Sequence, residues 1–156
     1  VFVDIKKDTL NINEKLIEKS ITKKTKAIVV VHYAGEPCDM DSIKKIAKKH
    51  KLYLIEDAAQ AIFSKYKKKF CGTIGDIGCI SFHETKNITS CEGGAILINN
   101  KRFLKKASII INKGSKDNIK LGMENSFIYF IISLIDRCCA SCPIHRLFYP
   151  TYPSNY

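Results

Sequence analysis

Short apolar runs alternate with amphipathic stretches over residues 1–114. The run at residues 26–31 is rich in β-branched side chains, and continuous apolar runs of this length are typical of strands buried in a parallel sheet. Strands are predicted at residues 1–5, 26–31, 52–57, 77–82 and 94–99. These strands would form the centre of the domain.

Three further stretches have the residue spacing of amphipathic helices. Helices are predicted at residues 13–21, with Asn13 as cap, at residues 39–50, starting at Asp39 or Asp41, and at residues 101–111. In the second helix the apolar side chains would face inward and the lysines outward. A hairpin turn is predicted at residues 67–71.

Strands that alternate with helices predict an α/β fold with crossover connections. In such sheets, ligands bind at the carboxyl ends of the strands. Asp57 ends one predicted strand, and Ser81, His83 and Lys86 lie at or just beyond the end of another. The polar residues therefore gather where this fold class places its chemistry.

Composition and chain length exclude several classes of protein. A chain with 46% hydrophobic and 26% charged residues is not disordered. Its longest apolar run, at residues 127–135, is about half of what a membrane-spanning helix needs. The chain opens as a strand, without an initiator Met or a charged leader. We therefore expect a cytoplasmic protein with no membrane partner, whose true beginning lies upstream.

The seven cysteines argue against a disulfide framework, because their number is odd and no signal peptide precedes them. Cys139 and Cys142 have the CxxC spacing of a metal site. A zinc site needs a second pair of ligands, however, and His145 alone does not supply one. We therefore expect no metal, and thiols that are buried or incidental.

The net charge of +11 arises from 26 Lys and Arg against 15 Asp and Glu. A nucleic-acid binder would combine Arg, aromatic residues and a recognised motif within one basic face. Here lysines dominate and fall mostly on the polar faces of predicted helices and in one turn, which indicates a solvated surface. Nucleic acid is therefore a poor candidate for the partner. A non-catalytic basic domain that binds nucleic acid or another acidic partner stays the alternative to an enzyme.

The composition changes after Gly114. Residues 114–156 hold seven of the 15 aromatic residues and three of the four prolines. They carry four basic and three acidic side chains, so nearly all of the net positive charge lies before them. This stretch does not continue the pattern of the preceding domain.

Three side chains near the predicted strand ends form a chemically specific combination. Asp57 needs a cation or hydrogen-bond donors to offset its desolvation, and Lys86 becomes a nucleophile towards carbonyls once its basicity is lowered. Pyridoxal phosphate requires an acid for its pyridinium nitrogen, a Lys that binds its aldehyde and a hydroxyl, here Ser81, for its phosphate. Each feature alone has a simpler interpretation: a cap or ion-pair partner for Asp57, a solvent-facing Lys86, and a tight turn at residues 93–94.

Five motifs occur in the order and spacing of one enzyme family. They are HYAG at residues 32–35, IEDAAQ at 55–60, GTIGD at 72–76, SFHETKN at 81–87 and EGGA at 92–95. Together they resemble the DegT/DnrJ/EryC1/StrS family of sugar aminotransferases, which are pyridoxal-phosphate enzymes. The resemblance implies the large domain of the fold-type-I PLP-dependent transferases, an α/β domain with a mostly parallel sheet flanked by helices, truncated at both ends. Residues 1–114 would be a partial PLP-binding domain, and residues 115–156 an unmatched tail whose composition favours translation out of frame.

The resemblance also implies roles for individual residues. Lys86 would bind the cofactor covalently and move the proton between substrate and cofactor, while Asp57 would keep the pyridine nitrogen protonated. Gln60 would contact the cofactor ring near its phenolic oxygen, and Ser81 would hydrogen-bond the phosphate. His83 would help to shape the sugar site, or would equally be a structural histidine.

The implied reaction is a transamination for bacterial surface polysaccharide synthesis. L-glutamate would donate its amine to a nucleotide-linked 4-keto-6-deoxyhexose. Members of the family are much longer and form homodimers in which the partner subunit completes each site. The chain by itself is therefore expected to have little or no activity, and its sequence does not identify the sugar.

Overall fold

The structure is a computed structural model that describes residues 1–90, 93–114 and 130–133. Its strands are β1 Ala27–Val31, β2 Tyr53–Asp57, β3 Lys65–Tyr66, β4 Lys69–Phe70, β5 Ile77–Ser81, β6 Gly94–Ile98 and β7 Phe130–Ser133. One sheet has the order β1-β2-β5-β6-β7. The pairs β1–β2 and β2–β5 are parallel, and the pairs β5–β6 and β6–β7 are antiparallel. The strands β3 and β4 form the predicted hairpin.

The helices in the described part are α1 Glu14–Ser20, α2 Met40–Lys49 and α3 Leu104–Gly114, the last preceded by a 3₁₀ turn. Asn13 accepts the backbone N–H of Lys15 at 3.1 Å, and Asp39 accepts that of Ser42 at 3.2 Å. These side chains satisfy N–H groups that have no partner within the helix. Both predicted caps are therefore confirmed.

The main hydrophobic core lies between the first two helices and one face of the sheet. Its buried members are Ile17, Ile28, Val30, Cys38, Met40, Ile43, Ala47 and Leu54. Ile46 is half-buried beside them, and the lysines of α2 are exposed. The predicted inward and outward faces of α2 are therefore confirmed, and burial of this apolar surface is the main stabilising contribution.

The opposite face of the sheet is partly open in the described part of the chain. Val29 is 56% exposed and Ile96 is 42% exposed. Side chains alternate between the two faces of a strand, so this face also carries Asp57. The apolar run of β1 predicts burial on both faces, whereas the structure buries one.

The segment at residues 1–5 does not form the predicted strand. Ile5 makes an isolated antiparallel bridge with Ile12, while Val1 and Phe2 are exposed. An apolar pattern becomes a strand only where a neighbour satisfies its backbone hydrogen bonds, and no described strand lies beside residues 1–4. The other predicted strands and helices agree with the structure to within a few residues at their ends.

Strand β7 lies inside residues 115–156, which the sequence separates from the domain, and it pairs with β6 in the same sheet. The rest of that stretch, including Cys139, Cys142 and His145, lies outside the described residues. Within the part of the chain that is described, no helix has the length and hydropathy to cross a membrane. Over the same residues, no group of three His, Cys, Asp or Glu side chains is arranged to hold a metal ion.

Candidate active site

The carboxyl ends of three parallel strands meet at one edge of the sheet. In the register of β1, β2 and β5, Val31 lies beside Asp57 and Asp57 lies beside Cys79. Residues directly opposite each other in neighbouring strands point to the same face. The fold therefore gathers the segments that follow these strands at the edge where α/β sheets bind ligands.

Asp57 is the last residue of β2 and is half-buried on the open face of the sheet. Its Oδ1 accepts the backbone N–H of Ala59 at 3.0 Å, and its carbonyl accepts the N–H of His32 at 3.0 Å. Among the described residues, Asp57 forms no ion pair. Its carboxylate is thus oriented by its own turn and retains capacity to accept further hydrogen bonds.

Ser81 ends β5 and lies two residues beyond Cys79, so strand alternation puts it on the same face as Asp57. Its Oγ accepts the backbone N–H of His83 at 3.3 Å. Cys79 lies beside Asp57 on this face, and burial, followed by the charge of Asp57, raises the pKa of its thiol. The structure thus brings Asp57 and Ser81 to one face of one edge.

Lys86 and His83 lie in the loop that follows β5. The Lys86 N–H donates to the His83 carbonyl at 2.9 Å, which closes a turn, and the side chain of Lys86 is half-buried. His83 Nδ1 accepts the Thr85 N–H at 3.3 Å and lies 3.0 Å from the Thr85 hydroxyl. Lys86 therefore lies in the loop that leaves this edge of the sheet, five residues beyond Ser81, while the His83 ring is engaged within the same loop.

Gln60 is exposed, and its side chain ties the end of β2 to the turn after β1. Its Oε1 accepts the N–H of Ala34 at 2.8 Å. Ala34 and Gly35 have left-handed backbone conformations, with φ of 51° and 86°. A Cβ added at Gly35 would lie 3.2 Å from the Gln60 carbonyl, so the close approach favours glycine.

Asn11 also holds this turn, and no sequence pattern predicted its role. Its side chain is buried, with Oδ1 accepting the Tyr33 N–H at 2.9 Å and Nδ2 donating to the Glu36 carbonyl at 2.9 Å. The turn that contacts Gln60 is therefore braced by a residue that precedes α1.

Glu56 is the second residue that sequence reasoning missed, and its side chain is completely buried. Burial raises its pKa, but hydrogen bonds from His32 and from the backbone of Gly75, Gly72 and Ile74 outweigh burial, and the pKa lies below its ordinary value. The signal was present in the strand alternation, because Glu56 shares the core-facing side of β2 with Leu54. A carboxylate at such a position requires several donors.

Comparison with known proteins identifies the family. The DegT/DnrJ/EryC1/StrS aminotransferase family matches residues 1–146. That match continues past Gly114, so it gives no support to a change of reading frame there; the division of the chain at residue 114 itself stays a prediction.

Three curated proteins are similar to this chain. The uncharacterized protein MJ1066 of Methanocaldococcus jannaschii is 52% identical over 154 residues, covering 94% of this chain and 40% of its own length. The spore coat polysaccharide biosynthesis protein SpsC of Bacillus subtilis is 41% identical and covers 70% and 28%. The GDP-perosamine synthase of Escherichia coli O157:H7 is 48% identical and covers 65% and 28%. The chain thus spans less than half the length of these relatives.

Solved structures share the fold. An aminotransferase from Psychrobacter cryohalolentis matches with a TM-score of 0.70 and 40% identity, over 79% of this chain and 33% of its own. The PLP form of Spr1654 from Streptococcus pneumoniae, a protein assigned as a sugar aminotransferase, matches with a TM-score of 0.66 and 31% identity, over 75% of this chain and 36% of its own. These matches confirm the fold class predicted from the sequence. The chain belongs to the DegT/DnrJ/EryC1/StrS aminotransferase family.

Proposed function

We propose that the chain carries the cofactor-binding edge of a pyridoxal-phosphate-dependent aminotransferase that acts on a nucleotide-linked 4-keto-6-deoxyhexose, with L-glutamate as amino donor. Family membership supports the reaction class, and the names of GDP-perosamine synthase and of SpsC support a nucleotide sugar destined for polysaccharide. The observation that carries the proposal is the position of Asp57 and Ser81 on one face of one sheet edge, followed by the Lys86 loop.

The residues at this edge fit pyridoxal phosphate in the chemistry of their side chains. Asp57 offers an ionisable carboxylate with one oxygen oriented by the Ala59 N–H, which suits a pyridinium N–H donor. Ser81 offers a hydroxyl for the phosphate, and Lys86 offers a half-buried amine for the aldehyde. Pyridoxal phosphate, when bound, withdraws electrons from the carbon that carries the amine.

The proposed roles divide the proton chemistry between two residues. The Asp57 carboxylate would hold the proton on the pyridine nitrogen, because an adjacent negative charge favours the charged form of its partner. The Lys86 amine would take the proton from the substrate carbon that bears the amine and deliver it to the cofactor carbon that carried the aldehyde.

Gln60 and His83 would take secondary roles. Because the Gln60 Oε1 already accepts the Ala34 N–H, its amide nitrogen is the group that would donate to the phenolic oxygen of the cofactor. The His83 ring contacts Thr85, which favours a role in shaping the loop at the sugar site over direct proton transfer.

The complete enzyme would be a homodimer, and its product would be a nucleotide-linked sugar of the 4-amino-4,6-dideoxyhexose type. Because this chain covers at most 40% of the curated relatives described above, we expect the 156 residues alone to show little or no turnover. Robust transamination of a nucleotide keto-sugar by the isolated chain would contradict that expectation.

The cofactor role is tested by incubating the protein with pyridoxal phosphate, reducing with borohydride and mapping the modified lysine by mass spectrometry. Selective modification of Lys86 is expected, and Asp57→Asn should abolish the selectivity. The matched control is Asp41→Asn, which removes the charge of an exposed acid in the first turn of α2 that pairs with Lys67.

Modification spread over many lysines in the unsubstituted protein would overturn the cofactor assignment. In that case, salt-dependent binding to DNA without cofactor binding would favour the basic binding domain instead. Selective modification that survives Asp57→Asn would overturn the role of Asp57 alone.

A further inference from the structure

The buried carboxylate of Glu56 accepts four hydrogen bonds, two at each oxygen. Oε1 accepts the N–H groups of Ile74 at 2.6 Å and Gly75 at 2.5 Å. Oε2 accepts the N–H of Gly72 at 2.9 Å and lies 3.0 Å from His32 Nε2. A carboxylate is an acceptor only, so this environment is complete without water or a cation.

The tautomer of His32 follows from its neighbours. Its Nδ1 lies 3.1 Å from the backbone N–H of Cys38, which can only donate. Nδ1 therefore accepts, the ring hydrogen is on Nε2, and Nε2 donates to Glu56. A doubly protonated ring would point a hydrogen at the Cys38 N–H. The pair is thus a neutral imidazole donating to an ionised carboxylate.

Both members of this pair are joined to Asp57, although neither side chain shares its face. Glu56 directly precedes Asp57 in β2, so the two carboxylates point to opposite faces of the sheet. The His32 backbone N–H donates to the Asp57 carbonyl at 3.0 Å. Rotation of the end of β2 about its axis would move Asp57, and the same rotation would break the four hydrogen bonds of Glu56.

We propose that Glu56, oriented by His32, is a positioning residue for Asp57: it fixes the end of β2 so that the Asp57 carboxylate keeps the orientation in which it binds the pyridine nitrogen. The inference rests on the proposed function, because the cofactor role of Asp57 does. Glu56 itself does not reach the cofactor face. Its contribution is transmitted through the backbone of β2.

The first test measures amide hydrogen exchange by NMR without cofactor. The Ala59 N–H donates to Asp57 Oδ1, so its exchange rate reports whether that carboxylate stays in place. In Glu56→Gln the new NH₂ group faces N–H donors, and we expect the Ala59 amide to exchange about tenfold faster or more. Glu56→Asp keeps the acceptors and should restore part of the protection. Glu18→Gln, in an exposed His–Glu pair, is the control and should change nothing.

The result that would overturn the inference is faster exchange at Gly72, Ile74 and Gly75 with unchanged exchange at Ala59. That pattern would mean that Glu56 holds the loop but not Asp57. If Glu56→Gln does not fold, the same comparison in Glu56→Asp decides.

The second test measures the dissociation constant of pyridoxal phosphate by absorbance titration. We expect about tenfold weaker binding in Glu56→Gln, and no further weakening when Glu56→Gln is added to Asp57→Asn, because the first residue acts through the second. Fully additive effects would overturn the inference. If the unsubstituted protein does not bind the cofactor, the proposed function fails, while exchange at Ala59 still decides the positioning role.

Discussion

Two histidine–glutamate pairs in the described part of the chain lie in opposite surroundings. His32 and Glu56 are 3.0 Å apart, and both side chains are 0% exposed. His50 and Glu18 are 2.7 Å apart, but their side chains are 31% and 42% exposed, and Lys49 also contacts Glu18 at 2.9 Å. The shorter contact is the weaker one, because water and salt screen it while the buried pair has no substitute for its partners.

From this comparison we expect the number of donors that a carboxylate satisfies, rather than the contact distance, to decide how much the pair contributes to stability. Hydrogen bonds from Lys49 and His50 lower the pKa of Glu18, and water can replace either hydrogen bond when it is lost. Burial acts to raise the pKa of Glu56, yet hydrogen bonds from His32 and three backbone N–H groups lower it. Removing Glu56 leaves the His32 ring N–H and three backbone N–H groups without their acceptor, whereas removing Glu18 leaves Lys49 and His50 in contact with solvent.

The largest expected effect is that of Glu56→Ala. The substitution leaves the buried His32 Nε2–H and three backbone N–H groups without their acceptor, and we expect a loss of about 3–5 kcal/mol in the free energy of unfolding. Urea unfolding followed by circular dichroism measures it. A loss no larger than that of Glu18→Ala would contradict the contrast between the two pairs.

Gly78→Ala tests the buried pair by displacing the loop at residues 72–75, whose N–H groups donate to Glu56. A Cβ at Gly78 would lie 2.1 Å from the Gly72 carbonyl oxygen, so the loop must move away from Glu56. We expect a loss of about 1–3 kcal/mol in the free energy of unfolding. Thr73→Ala in the same loop adds no atom and is the control; equal losses in the two variants would argue against steric displacement.

The pH dependence of unfolding separates the buried carboxylate from the rest of the protein. Because the pKa of Glu56 lies below its ordinary value of 4.5, its stabilisation is complete above about pH 4.5 and is lost as the pH falls further. The free energy of unfolding of the unsubstituted protein should therefore fall relative to that of Glu56→Gln only below that pH. Urea unfolding of both proteins at a series of pH values measures this difference. A relative loss that starts near neutral pH would show that the pKa is raised instead.

The smallest expected effect is that of Glu18→Ala. Its partners remain hydrated, so we expect no resolvable change in the thermal unfolding midpoint, and whatever change occurs should vanish at high salt. A salt-resistant decrease would mean that the exposed pair is held more firmly than its surroundings imply.

Much of the fold follows from the sequence because local signals and burial agree. Asn13 and Asp39 mark helix starts through the chemistry of their side chains, and the β-branched run before His32 forms the predicted strand. Residues 1–5 carry the same apolar signal and fail, because a strand also needs a neighbour to pair with, which local sequence does not supply.

In the candidate site, too, some residues can be predicted from the sequence and others can be identified only in the folded chain. Asp57 and Ser81 are foreseen as neighbours because strand ends in an α/β sheet share one edge. Glu56 is visible as a charge on a core-facing position, but its donors lie 16 to 24 residues away along the chain, and only the folded chain identifies them. Residues that act through the backbone therefore escape a search for chemistry at strand ends.

The brace that Asn11 provides determines where the protein can be shortened without harm. A chain trimmed by proteolysis to begin at α1 would keep every helix and strand described above, yet it would lose the hydrogen bonds from Asn11 to the Tyr33 N–H and the Glu36 carbonyl. Limited digestion could therefore leave the circular dichroism spectrum almost unchanged while it loosens the turn that Gln60 contacts. A proteolytically stable core can therefore lack an intact candidate site, because the segment before α1, which has little regular structure, holds the turn that Gln60 contacts.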